Sequence, residues 1–158
     1  MIIKNIDLLD IPMWITLSKE YDRYVIETGS DLTEWYQGNE ISISFEKYMK
    51  AKIEKNEAFM AVDDNDTCCG AIAVSKTNNN ITFFAISHRC DFELVGNLLL
   101  KHAFSVLDSN IGIKVNIIKS KADHIKKQQT LFLKYCFNYL KDDLENGVSV
   151  TTLAYYPT

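Results

Sequence analysis

Three short apolar runs, residues 58–62, 69–75 and 81–87, are separated only by Asp63-Asp64-Asn65-Asp66 and Asn78-Asn79-Asn80. Clusters of Asp and Asn between runs this short are turns, so the chain must double back twice as an antiparallel meander. The third run passes through a polar break at 87–91 into Val95-Gly96-Asn97-Leu98-Leu99-Leu100, which opens an apolar-periodic helix. A strand running through a tight loop into a helix aims backbone N–H groups and a positive dipole end at one point, which suits a phosphate group. The meander therefore sets the middle of a sheet, and the segment after it is the first candidate for a site.

The flanking sequence supplies the remaining elements. Residues 2–6 alternate as a first strand, and Asp10 with Pro12 marks a helix N-terminus. Ile11, Trp14, Ile15, Ser18, Tyr21, Asp22 and Val25 share one broad face of that helix, and Gly29 stops it. Residues 30–43, polar and aromatic, read as a long loop or a short helical turn. Ser44 then caps a second helix over 45–55, where Phe45, Tyr48, Met49 and Ile53 keep helical spacing. Beyond the meander the pattern gives a helix over 93–107, a strand over 113–118, a helix over 121–136, and strands over 138–142 and 148–155. The order β-α-α-β-β-β-α-β-α-β-β predicts one α/β domain over residues 1–158, built on a mixed sheet.

Composition narrows the function. With 158 residues, 47% of them hydrophobic, the chain can bury one proper core but not two. A formal net charge of −4 counts against a nucleic-acid partner, which calls for a basic stripe. Lys119, Lys121, Lys126 and Lys127 read instead as a solvated helix end. Residues 1–7 hold no apolar leader core and no stretch approaches the length of a membrane span, so a cytoplasmic protein without a membrane partner is expected. Cys68, Cys69, Cys90 and Cys136 form no CxxC pair. Cys68 and Cys69, adjacent on a strand, point to opposite faces, so at most one is expected in the core. His88, His102 and His124 are scattered, and no metal site is expected.

Two segments carry a family resemblance. Asp91-Phe92-Glu93-Leu94-Val95-Gly96 stands after the fourth strand, where the GNAT superfamily of acyl-CoA-dependent N-acetyltransferases carries Arg/Gln-x-x-Gly-x-Gly/Ala. The run from Ile125 to Phe137 stands where that family has a helix with Asn-x-x-Ala-x-x-x-Tyr-x-x-x-Gly-Phe. Together with the element order, these make the chain resemble a GNAT protein over nearly its whole length. Gly96 and Phe137 match the motifs. Asp91, Glu93 and Leu94 depart from the first; in the second, Cys136 replaces the glycine and Phe132 replaces the tyrosine that often protonates the departing thiolate, and phenylalanine has no proton to give.

The resemblance implies a mostly antiparallel sheet of about seven strands with four helices, strands 4 and 5 splayed. It also implies acetyl-CoA as cosubstrate and an acetyl group transferred to a small-molecule or peptide amine. Two alternatives stand beside it: a catalytically silent GNAT-fold binding or regulatory protein, and an α/β interaction domain with no CoA history.

By the same resemblance the cosubstrate lies on Ile86, Ser87, His88, Phe92, Glu93, Leu94, Val95, Gly96 and Asn97. His124 falls near the pantetheine, and Lys121, Lys126 and Lys127 toward the 3′-phosphate. Backbone groups of Ile86 and His88 would hold the acetyl carbonyl and the pantetheine arm. For proton transfer, His88 offers an imidazole, a side chain able to act as a general base, against the alternative of a loop histidine in solvent. Tyr135, three residues beyond Phe132 on a helix, is the second catalytic candidate, against a role in core packing. Glu34, Trp35, Tyr36 and Glu40 border the acceptor side, since carboxylates beside aromatics suit a cationic amine; an acidic surface loop with Trp35 in the core is the other reading. The sequence leaves the oligomeric state open, and the edge offered by the last strands could pair across a two-fold as a homodimer.

Overall fold

The structure, a computed structural model, describes residues 1–26, 39–145 and 147–157, with side chains for 1–24, 45–145 and 147–157. Among the described residues the chain runs β1 (Ile2–Asn5), α1 (Ile11–Ile26), α2 (Asn39–Glu54), β2 (Ala58–Val62), β3 (Cys68–Ser75) and β4 (Asn80–Ile86). It continues through α3 (Phe92–Val106), β5 (Ile113–Ile118), α4 (Asp123–Lys134), β6 (Phe137–Glu145) and β7 (Val148–Tyr155). The strands form one seven-stranded sheet in the order β1-β2-β3-β4-β5-β7-β6. Only β4 and β5 are parallel; every other neighbouring pair is antiparallel. The expected mixed sheet, its four helices and the central meander are all present.

Helices cover both faces of the central strands, which decides what is buried. On one face Phe59, Ile72, Phe84 and Ile86 pack with Val95, Leu99 and Leu100 of α3 and Ile125, Leu131 and Phe132 of α4. On the other, Met60, Ala71, Ala73 and Ala85 pack with Trp14 and Leu17 of α1 and Met49 of α2. Successive residues of β2 and β3 enter opposite cores, so these strands are buried almost throughout. The same fact corrects the expectation for the adjacent cysteines. Cys68 and Cys69 do point to opposite faces, but each face has its own core, and both are buried. Burial pushes their thiols up, Cys68 to about 11 and Cys69 to about 12, so neither is a ready nucleophile.

Several element ends differ from the sequence-based expectation, for local reasons. Asp7 rather than Asp10 is the N-terminal cap: its carboxylate accepts from Leu9 N–H while Asp10 accepts from Asp7 N–H, closing a capping box on a 3₁₀ turn at Leu8–Asp10 that leads into α1. The second helix begins at Asn39, within the stretch expected to be a loop and ahead of the expected cap at Ser44. At the end of α4, Cys136 has φ 67°, the left-handed region that glycine enters without steric cost. Its N–H closes on Leu133 O at 3.0 Å, the geometry of a helix stop. Cys136→Gly is therefore expected to stabilise the fold by about 0.5–1 kcal/mol, read as a higher urea midpoint at unchanged slope. A lower midpoint would mean that the thiol makes a contact worth more than the relieved backbone.

Candidate functional site

The parallel pair β4–β5 is joined only at its start, through Asn80↔Lys114 and Ile81↔Val115, and the two strands diverge beyond. The divergence exposes peptide groups on the β5 side of β4. Ser87 N–H donates to Cys69 O at 2.8 Å, so Ser87 faces β3, and Phe84 and Ile86, alternating with it, turn their peptide groups into the wedge. The Phe84 carbonyl is satisfied from α4, where the buried Gln128 donates its Nε2 at 3.4 Å and in turn accepts from Tyr21 OH at 3.4 Å. Burial pushes the Tyr21 phenol up, which keeps its proton in place for that bond. Two residues on, the Ile86 N–H aims into the same wedge.

At the mouth of the wedge lies a cavity of about 280 Å³, lined by Tyr24 of α1, Ser87, His88 and Cys90 of the β4–α3 loop, Phe92 of α3, and Ala122, Asp123, His124 and Lys127 at the start of α4. The N-termini of α3 and α4 converge on it. Ala122, in the N-cap position, gives α4 no side-chain cap, and the positive end of that helix faces the cavity. His124 stacks on Tyr24 at 5.9 Å and takes the ring edges of Tyr21 and Phe92, at 5.6 and 5.3 Å. Burial first, and the Lys127 charge second, hold its imidazole below the usual range and therefore neutral at pH 7. Its Nε2 is buried and has no hydrogen-bond partner among the described residues.

Glu20 closes the α1 side. Its Oε1 accepts from Ser87 Oγ–H at 3.0 Å, from His88 N–H at 2.8 Å and from the His88 ring at Nδ1. Burial acts to raise the Glu20 carboxyl, but the bonds from the His88 N–H and ring and from the Ser87 hydroxyl outweigh it, and the group sits below the usual carboxylate range. The His88 N–H, expected to face a ligand, is thus committed to an internal carboxylate.

The acidic residues at the start of α3 turn away from the cavity. Asp91 folds back as N-cap onto Leu94 N–H at 3.1 Å, and Glu93 pairs on the surface with Lys134 at 2.7 Å. The helix starts at Phe92, a full turn before Gly96, so Val95, Gly96 and Asn97 lie inside it with their amides in its hydrogen-bond ladder. Gly96 serves packing: a Cβ there would lie 2.4 Å from Leu131 Cδ2, so its absence lets α4 close on α3. Of the residues expected to hold the cosubstrate, Ser87, His88, Phe92 and His124 line the cavity, with Ile86 beneath it, whereas Glu93, Leu94, Val95, Gly96 and Asn97 do not.

Tyr135 lies at the far end of α4, stacked on Phe104 with its hydroxyl donating to Asn97 Oδ1 at 2.8 Å, and it does not line the cavity. Glu34, Trp35 and Tyr36 fall outside the described residues, and for Glu40 only the backbone, in α2, is described. Sequence reasoning missed Glu20, Tyr24 and Gln128. Glu20 and Tyr24 stand four apart on α1, a spacing that puts them on one face, but nothing local names partners more than sixty residues away. Among the described residues no group of three or more His, Cys, Asp or Glu could hold a metal ion, and no helix is long and apolar enough to cross a membrane.

No family model and no curated protein matches the sequence. Solved structures do match the fold over nearly the full chain. A GNAT-family acetyltransferase from Streptococcus agalactiae superposes with a TM-score of 0.72 at 15% identity, covering 99% of this chain and 95% of that one. An N-acetyltransferase from Staphylococcus aureus gives 0.70 at 11% identity, covering 98% and 100%. A GNAT-family acetyltransferase from Bacillus cereus gives 0.60 at 13% identity, covering 99% and 97%. The chain has the GNAT acetyltransferase fold.

Proposed function

We propose that this chain is a cytoplasmic N-acetyltransferase that uses acetyl-CoA to acetylate a small-molecule or peptide amine. The observation that carries the reading is the β4–β5 wedge, with the Ile86 N–H aimed into it and a cavity at its mouth. Acetyl-CoA would supply an acyl group already activated as a thioester. The residues present fit such a ligand: the wedge admits a narrow arm, and the departures from the family motif, Asp91 and Glu93, have their carboxylates turned away from the cavity.

Each residue then has a physical role. The Ile86 N–H polarises the acyl carbonyl and supports the negative charge that develops on its oxygen. The positive end of α3 at Phe92, together with the Lys127 ammonium, favours the phosphates. Phe92, Tyr24 and His124 wall off water from the reacting end. His88 takes a proton from the incoming ammonium so that the amine can attack. Holding both reactants in one wedge supplies proximity, which carries a large share of the rate in a reaction that needs little side-chain chemistry.

Calorimetric titration with acetyl-CoA and, in parallel, with free CoA tests the reading. Micromolar binding is expected, followed by amine-dependent release of free thiol; an absence of binding at millimolar ligand sinks it. A second reading, a GNAT-fold binding protein without turnover, is favoured by Phe132 at the tyrosine position. It predicts acetyl-CoA binding with no thiol release across a panel of amines.

A further inference from the structure

The cluster that joins α1 to the β4–α3 loop goes beyond what a staple needs. Glu20 lies within α1, and its side chain is only 16% exposed. One of its oxygens collects a hydroxyl, a backbone amide and an imidazole, all from Ser87 and His88. A carboxylate facing Nδ1 fixes both the plane of the ring and its proton: the neutral imidazole carries its hydrogen on Nδ1, toward the negative oxygen, and keeps a lone pair on Nε2. We propose that Glu20 is a positioning residue that holds His88 as the Nδ1–H tautomer, with Nε2 as the basic atom that takes the acceptor's proton at the cavity.

The inference rests on the transferase reading and specifies how its base is prepared. The acceptor reaches the wedge as an ammonium ion. One proton passes from the ammonium nitrogen to Nε2, the N–H bond breaks with its electron pair left on the amine, and the positive charge moves to the imidazolium. Glu20 stays ionised throughout and stabilises that charge at contact distance. Among the described residues the groups facing His88 come from three elements. Glu20 and Tyr24, the latter with its ring 5.1 Å away, lie on α1; Asp123, His124 and Lys127 lie on α4; Cys90 lines the same cavity from the loop that carries His88. Lys127 opposes the imidazolium, Asp123 supports it through the cavity, and among the described residues only Glu20 touches the ring with a carboxylate. A residue that merely tied α1 to the loop would need the backbone and hydroxyl bonds only; the bond to Nδ1 is the one that bears on chemistry.

Two measurements test the assignment. Long-range proton–nitrogen correlation spectra of the ligand-free protein, with the His88 resonances assigned through His88→Gln, report the tautomer directly. The wild type is expected to show protonated Nδ1 and unprotonated Nε2, and an Nε2–H tautomer overturns the proposal without recourse to any variant. Glu20→Gln keeps the shape and removes the charge. With acetyl-CoA and an accepted amine it is expected to lower kcat by about 10- to 100-fold at an unchanged KM for acetyl-CoA, and its His88 is expected to become a tautomer mixture. Wild-type turnover combined with an unchanged kcat in the variant overturns the positioning role alone. An Nδ1–H tautomer in a wild type that releases no thiol with any amine overturns the transferase reading, and the role assigned to Glu20 falls with it.

Discussion

Phe132→Ala is expected to lower the unfolding free energy by about 3–5 kcal/mol, a large share of the stability of a domain this size. The ring is fully buried, edge-on to Phe84 of β4 at 5.2 Å and to Phe137 of β6 at 5.1 Å. It therefore ties α4 to strands on either side of the β4–β5 wedge, and truncation leaves a void where those elements meet. Urea unfolding reads the loss as a lower midpoint at unchanged slope. Phe132→Tyr separates structure from chemistry at the position where the family carries a tyrosine. Its hydroxyl enters a site closed by two phenyl rings, at a cost of about 1–3 kcal/mol if it finds no partner. Because Phe132 does not line the cavity, no gain in thiol release is expected. A Phe132→Tyr protein that is stable and turns over faster would show that the ring reaches the reacting end after all.

Trp14→Ala is expected to cost a similar amount, about 3–5 kcal/mol, from the opposite core. Trp14 is 1% exposed and takes the rings of Phe45, Tyr48 and Phe83 edge to face at 6.2, 6.2 and 5.6 Å. It locks α1 to α2 and to β4, and α1 is the helix that carries Glu20 and Tyr24 to the cavity. The variant should consequently lose ligand binding as it loses stability. Trp14→Phe makes an informative control. Among the described residues the buried indole Nε1 has no hydrogen-bond partner, so the smaller ring gives up volume but sheds a donor those residues do not satisfy. A cost of about 1–2 kcal/mol is expected, with a melting temperature lower by about 2–4 °C per kcal/mol. Equal losses in the two variants would mean that the indole N–H, rather than the packing, is what the site needs.

The contrast between Gly96 and Glu20 shows how far the sequence carries. A glycine after a strand-and-loop reads as a phosphate cradle, yet its reason for being glycine is Leu131, thirty-five residues later on another helix. The cradle's position hinged on where α3 begins, and that is decided by Asp91 folding onto Leu94 N–H, an interaction within one turn that the family motif obscured. Glu20 carried no signal at all, being one exposed-looking acid on an amphipathic helix until the fold placed Ser87 and His88 beside it.

What the sequence determined by itself was local: the meander, from its Asp- and Asn-rich turns; the helices, from their apolar spacing; and, from the element order and two partial motifs, the fold. These depend on contacts within a few residues, where steric limits and periodicity leave little choice. Only the tertiary structure decided that both faces of the sheet are covered, so that Cys68 and Cys69 are both buried, that β4 and β5 part after Ile81, and that Gln128 satisfies the Phe84 carbonyl that β5 leaves unpaired. It also decided that a carboxylate from α1 meets the His88 ring. Those features are pairings between segments far apart in the chain, and a polar residue's partner is set by how the covering helices dock, which no local pattern records.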